Sequence, residues 1–188
     1  MNVRRRLVMV ALTGLVAAVG GVVSATAASA APPAGPAAGP RAVGGFYQVI
    51  NKRSNKCVAP RANSALPQAR IVQRGCEPRV NHRWALHAIG NGYHWLSNQG
   101  SGYCLDLFAN SEEEVVIGTR VQQFPCSLEY TSEQWRLVPA PAPSGHYLLQ
   151  TRIHGLCLDV LNASTANDAP LQVIECKPYE PAQHFRFV

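Results

Sequence analysis

Three copies of one unit, each with two cysteines and a closing aromatic, constrain this chain more than any other feature. The first cysteines are Cys57, Cys104 and Cys157, and a glycine stands 12 residues before each, at Gly45, Gly92 and Gly145. Each glycine opens an aromatic-rich segment: FYQVIN, YHWLSN and HYLLQT. The second cysteines, Cys76, Cys126 and Cys176, follow at 19, 22 and 19 residues, and Trp84, Trp135 and Phe185 close the units 8, 9 and 9 residues later. Fixed offsets around loops of varying length are how copies of one structural unit diverge. Such units bury a common core only by packing together, which favours a closed, pseudo-symmetric solution.

Each unit reads as short strands between turn residues. In the second, 93–96, 103–107, 119–124 and 134–138 carry strand character, with Gly100, Gly102 and Asn110-Ser111 at the turns. Beyond residue 30, no 11-residue stretch repeats its apolar positions with a helical period. Regular short strands with Gly, Pro and Asn punctuation predict an all-β barrel or sandwich.

The N-terminus reads as an appendage. Arg4, Arg5 and Arg6 precede an apolar run over 7–23, and Ala28-Ser29-Ala30 supplies a small-residue cleavage pattern. A signal peptide over 1–30, cut before Ala31, is expected, and no membrane span in the mature chain. Residues 31–44, opening APPAGPAAGPR, predict a flexible tether. The globular part is placed at 45–188, with repeats about 45–91, 92–144 and 145–188, which leaves no room for a second domain. All six cysteines lie beyond the signal, as disulfides in a secreted, extracellular protein would. The whole chain carries 17 basic and 11 acidic residues, so without the three signal arginines 14 oppose 11. The basic residues are scattered, and a nucleic-acid partner is not expected.

Cys-Leu-Asp, a polar loop, Gln-x-aromatic-x-Cys and a closing Gln-x-Trp, in three copies, resemble the ricin B-type lectin domain over residues 45–188. The resemblance implies a β-trefoil and disulfides within each unit: Cys57–Cys76, Cys104–Cys126 and Cys157–Cys176. It also implies core positions for Trp84, Trp135 and Phe185, and a glycan or polysaccharide as partner. In that family the Asp of Cys-Leu-Asp takes sugar hydroxyls, an aromatic two residues before the second cysteine is the stacking platform, and a Gln precedes it by two. An Asn-Gln pair before the closing aromatic supplies an amide contact and buttresses the Asp.

Those roles match the elementary chemistry of a sugar site, since a carboxylate accepts strong charge-assisted bonds and a ring face packs on an aromatic. The second unit supplies Asp106, Gln122 and Phe124, with Ser132 and Glu133 in place of Asn-Gln. Glu133 cannot donate unless protonated, so beside Asp106 repulsion is expected where glutamine would support; a cation between the two is a minor alternative. The third unit keeps Asp159, Gln172 and Gln183 but has Ile174 for the platform and Ala182 for the Asn, so weak or no binding is expected; Tyr179 is a ring at a different position. In the first unit Ala59, Val72 and Arg74 stand at the carboxylate, Gln and platform positions, and only Asn81 is kept. That copy reads as structural.

Catalysis is not expected. His82, His87, His94, His146, His154 and His184 form no metal-ligand spacing, His82 and His184 fall in closing motifs as surface or packing residues, and Glu112-Glu113-Glu114 reads as a solvated loop tip. No metal or cofactor is implied. The sequence therefore predicts a secreted, non-catalytic, lectin-like module that binds glycan mainly through its second repeat. The alternative is a degenerate β-trefoil acting as a protein-binding or protease-inhibitor module.

Overall fold

The computed structural model describes residues 45–141 and 145–188. The expected signal peptide and tether lie outside them. The described chain is all β, in order β1 (Phe46–Tyr47), β2 (Val49–Asn51), β3 (Cys57–Pro60), β4 (Ile71–Arg74), β5 (Trp84–Gly90), β6 (Tyr93–Asn98), β7 (Cys104–Leu107), β8 (Val121–Phe124), β9 (Trp135–Pro139), β10 (Tyr147–Thr151), β11 (Cys157–Val160), β12 (Ala169–Ile174) and β13 (Phe185–Phe187). Single-turn 3₁₀ segments, three residues each, are the only helical pieces among the described residues.

Antiparallel pairs run β1–β5, β5–β6, β6–β9, β9–β10, β10–β13 and β13–β2. With β1 and β2 as one interrupted strand, this ring closes on itself as a barrel, which leaves no free edge. The hairpins β3–β4, β7–β8 and β11–β12 hang from it, each by one pair: Ile50↔Cys57, Ser97↔Cys104 and Gln150↔Cys157. The hairpins also touch one another in a ring, through Arg70↔Gln122, Arg120↔Gln172 and Ala169↔Gln73. A barrel capped by a triangle of hairpins is the β-trefoil.

The three disulfides are Cys57–Cys76, Cys104–Cys126 and Cys157–Cys176, as the family resemblance implied. Trp84, Trp135 and Phe185 are fully buried in the common core. Both indoles keep their N–H satisfied, Trp84 Nε1 donating to the Val58 carbonyl at 2.8 Å and Trp135 Nε1 to that of Leu105 at 2.9 Å.

Two buried amides each tie one hairpin to a neighbouring repeat. Gln123 Nε2 donates to the Ser64 and Leu66 carbonyls at 3.0 and 2.7 Å, while its Oε1 accepts from Ser101 Oγ at 2.9 Å. Gln73 does the same toward Ser164 and Ala166, with Ser54 Oγ as its donor. The third repeat has Val173 at this position and keeps only the backbone bonds, accepting from Gly118 N–H as Gln123 does from Gln68 and Gln73 from Asp168. From β12, therefore, no side-chain amide reaches the 108–118 loop of the second repeat, which is the longest of the three. Gln123→Leu should cost about 2–3 kcal/mol, because it strands two carbonyls and a hydroxyl in a buried setting. Urea unfolding of the oxidised protein checks this.

Candidate functional site

The hairpin register explains why the expected polar residues recur at fixed distances from the cysteines. On β7, Leu105 and Leu107 enter the core, so Asp106 faces the other way. Its direct cross-strand partner on β8 is Gln122. In the third repeat the same pairing sets Asp159 opposite Gln172, and in the first it sets Ala59 opposite Val72. A one-residue change of either spacing would send one partner to the opposite face.

Asp106 is 4% exposed and Gln122 5% exposed, and Gln122 Nε2 donates to Asp106 Oδ2 at 2.7 Å. Burial pushes the Asp106 carboxyl upward, opposed by hydrogen bonds from Gln122, the Ser132 hydroxyl and the Leu107 N–H. Because its amide N–H is committed to the carboxylate, Gln122 presents Oε1, and this buried oxygen has no partner. A buried acceptor in that state marks a place for an incoming donor.

Asp106, Gln122, Phe124 and Ser132 all line one pocket of about 410 Å³. Phe124 is half-buried rather than packed into the core, and its ring meets that of Tyr130 at 6.1 Å between centroids. The pocket also takes in residues that motif spacing did not single out. Phe108 and Tyr130 line it as exposed rings, with the Arg120 guanidinium 3.5 Å from the Phe108 centroid. Gln68 from the first repeat, Ile153 from the third, and Asn110 and Glu112 from the long loop complete the wall. Glu112 is thus more than a solvated tip: its Oε1 accepts from Thr131 Oγ1 at 2.6 Å.

Glu133 is not part of the lining. It is fully buried, and its Oε2 accepts from Ser127 N–H at 2.8 Å. Burial, and then the charge of Asp106, push its carboxyl up to about 8 against that hydrogen bond, so at neutral pH it holds its proton. Uncharged, it does not repel Asp106, and with Oε2 engaged it does not offer a second anionic ligand to a cation. Among the described residues, no three His, Cys, Asp or Glu side chains gather as a metal ion would need.

The other repeats hold fewer of these groups. Asp159 accepts from Gln172 Nε2 at 3.1 Å and from Gln183, and burial raises its carboxyl against those bonds. Ile174 and buried Ala182 leave that hairpin without ring or amide at their positions, while Tyr179 is 83% exposed. In the first repeat Ala59 and Val72 are wholly buried, Arg74 pairs with Asp168 at 3.4 Å, and Asn81 donates to the Asn63 carbonyl. His82 and His184 are buried packing residues, Nε2 of each meeting an oxygen, Asn63 Oδ1 and the Pro178 carbonyl.

A family model described as ricin-type beta-trefoil lectin domain-like matches residues 37–123 and 110–174. No curated protein sequence matches. A designed three-fold symmetric protein, ThreeFoil, superposes with a TM-score of 0.69 at 29% identity, over 76% of this chain and 97% of that one. An exo-β-1,3-galactanase from Clostridium thermocellum gives 0.69 at 26% identity over 76% of this chain, which spans only 30% of the enzyme. A ricin B-like lectin from Macrolepiota procera, in complex with lactose, gives 0.64 at 15% identity over 77% of this chain and 94% of the lectin, a likeness of fold.

Proposed function

The chain belongs to the ricin-type β-trefoil lectin-like domain family, and from that premise we propose that it is a secreted, non-catalytic module that binds glycan mainly through its second repeat. One observation carries this reading. The buried Asp106–Gln122 pair opens, with an unpartnered Gln122 Oε1, onto a pocket walled by Phe124, Tyr130 and Phe108. Two vicinal hydroxyls of a pyranose satisfy such a pair, one donating to the carboxylate and one to the amide oxygen, while the ring face packs on an aromatic. Ser132 completes the polar side. Three disulfides support export to an oxidising compartment.

A single shallow pocket gives weak binding, with Kd in the range of ~0.1–1 mM, or roughly −4 to −5.5 kcal/mol. Galactose-bearing glycans are the first probes, because the Macrolepiota lectin was crystallised with lactose and the clostridial relative is a galactanase. On a glycan array that includes lactose and β-1,3-galactan, the purified protein should retain at least one class of sugar. Retention of none would reject the reading. Asp159→Ala should leave retention within about twofold of the parent, since the third hairpin lacks a ring beside its carboxylate. A tenfold or greater loss in that variant would move the site to the third repeat.

A further inference from the structure

The three repeats place three different side chains at one buried position: His82, Glu133 and Gln183, each two residues before the closing aromatic. All three do the same job on one side. The N–H of the residue after the second cysteine donates to His82 Nδ1 in the first repeat, to Glu133 Oε2 in the second and to Gln183 Oε1 in the third. On its other side Gln183 donates, through Nε2, to the Glu175 carbonyl at 3.0 Å and to Asp159. By register, the counterparts in the second repeat are the Pro125 carbonyl and Asp106. Both are acceptors. Glu133 Oε1, the atom that matches Gln183 Nε2, is buried without a partner.

An ionised Glu133 would set a third acceptor against those two, while being fully buried itself. A carboxylic acid with its proton on Oε1 restores the donor that glutamine provides. We infer that Glu133 serves the second repeat as a neutral, glutamine-like acid, a positioning residue whose proton holds Asp106 in place for sugar and whose loss in alkali disables the site. This inference rests on the glycan site proposed above.

The charges around Glu133 agree. Asp106 on β7 is the ionisable group that acts on it, and its negative charge opposes ionisation. Arg152 Nη1 is taken up by Gln134 Oε1, to which it donates at 2.7 Å. The carboxyl accordingly sits up at about 8, from an ordinary value of 4.5. Between those two values the unfolded chain releases the proton that the folded chain keeps, so stability falls as pH rises from 4.5 to about 8 and then levels off.

The test compares the parent with Glu133→Gln, which supplies the same donor at every pH. The two should melt together near pH 4.5, and the variant should melt roughly 5 °C or more above the parent at pH 8.5. With lactose and β-1,3-galactan as probes, parent affinity should fall about tenfold between pH 6 and pH 9, as the binding-competent fraction drops. The variant should stay flat over that range, and both should lose binding in acid as Asp106 protonates. Parallel melting curves across pH would overturn the proton assignment. Divergent melting with parallel affinity profiles would overturn the positioning role. A parent that binds neither probe at pH 6 would reject the glycan site instead, and the melting comparison would still decide the protonation of Glu133.

Discussion

Asp106→Ala is expected to abolish measurable retention on any glycan the parent binds. The carboxylate contributes charge-assisted hydrogen bonds worth about 1.5–3 kcal/mol each, and a pair of sugar hydroxyls would engage it at one or both oxygens. It also fixes the Gln122 amide, so removing it frees the group that presents the second acceptor. Losing about 3 kcal/mol or more from sub-millimolar binding carries Kd beyond roughly 10 mM, which an array does not register. Asp106→Asn keeps the shape and forfeits the charge, so it should bind at least tenfold more weakly than the parent yet remain detectable with concentrated ligand. The fold should survive both changes. The first repeat already carries Ala59 at this place, fully buried against Val72, and burying a carboxylate is itself unfavourable. Retention by Asp106→Ala equal to that of the parent, with an unchanged melting temperature, would place the sugar elsewhere.

How much of this site the sequence disclosed depended on what each residue's position is fixed by. Asp106 and Gln122 were legible because a hairpin register locks them opposite each other at a constant count from the disulfide. The platform Phe124 was legible for the same reason, as the cross-strand partner of Cys104. Phe108, Tyr130, Gln68 and Ile153 were not, because three of the loops that bring them to the pocket belong to different repeats or vary in length. Their convergence depends on contacts between repeats, such as Gln68 N–H donating to the Gln123 carbonyl, and such contacts leave no local pattern in the sequence. Glu133 was visible as a departure from Asn-Gln, and its charge was read as if in water. Burial reverses that reading, and burial is a property of the packed core that residue identity alone does not carry.

Trp135→Ala should be the most destabilising single change in the second repeat, at about 3–5 kcal/mol by urea unfolding with the disulfides intact. The indole is wholly buried, and its removal opens a cavity in the shared core of all three repeats while stranding the Leu105 carbonyl. Against an expected total of about 5–15 kcal/mol, that is a large fraction. Trp135→Phe should cost less than half as much, because the third repeat already seats Phe185 at this position with no indole bond to make. Equal losses for the two variants would mean that the hydrogen bond, not the filled volume, is what matters here. The site should register the change as well. Leu105 precedes Asp106, and the single turn Thr131–Glu133 that carries Ser132 and Glu133 ends just before Trp135. The indole therefore ties the strand bearing the carboxylate to the turn that supports it, and Trp135→Ala should weaken glycan binding even at temperatures where the protein remains folded.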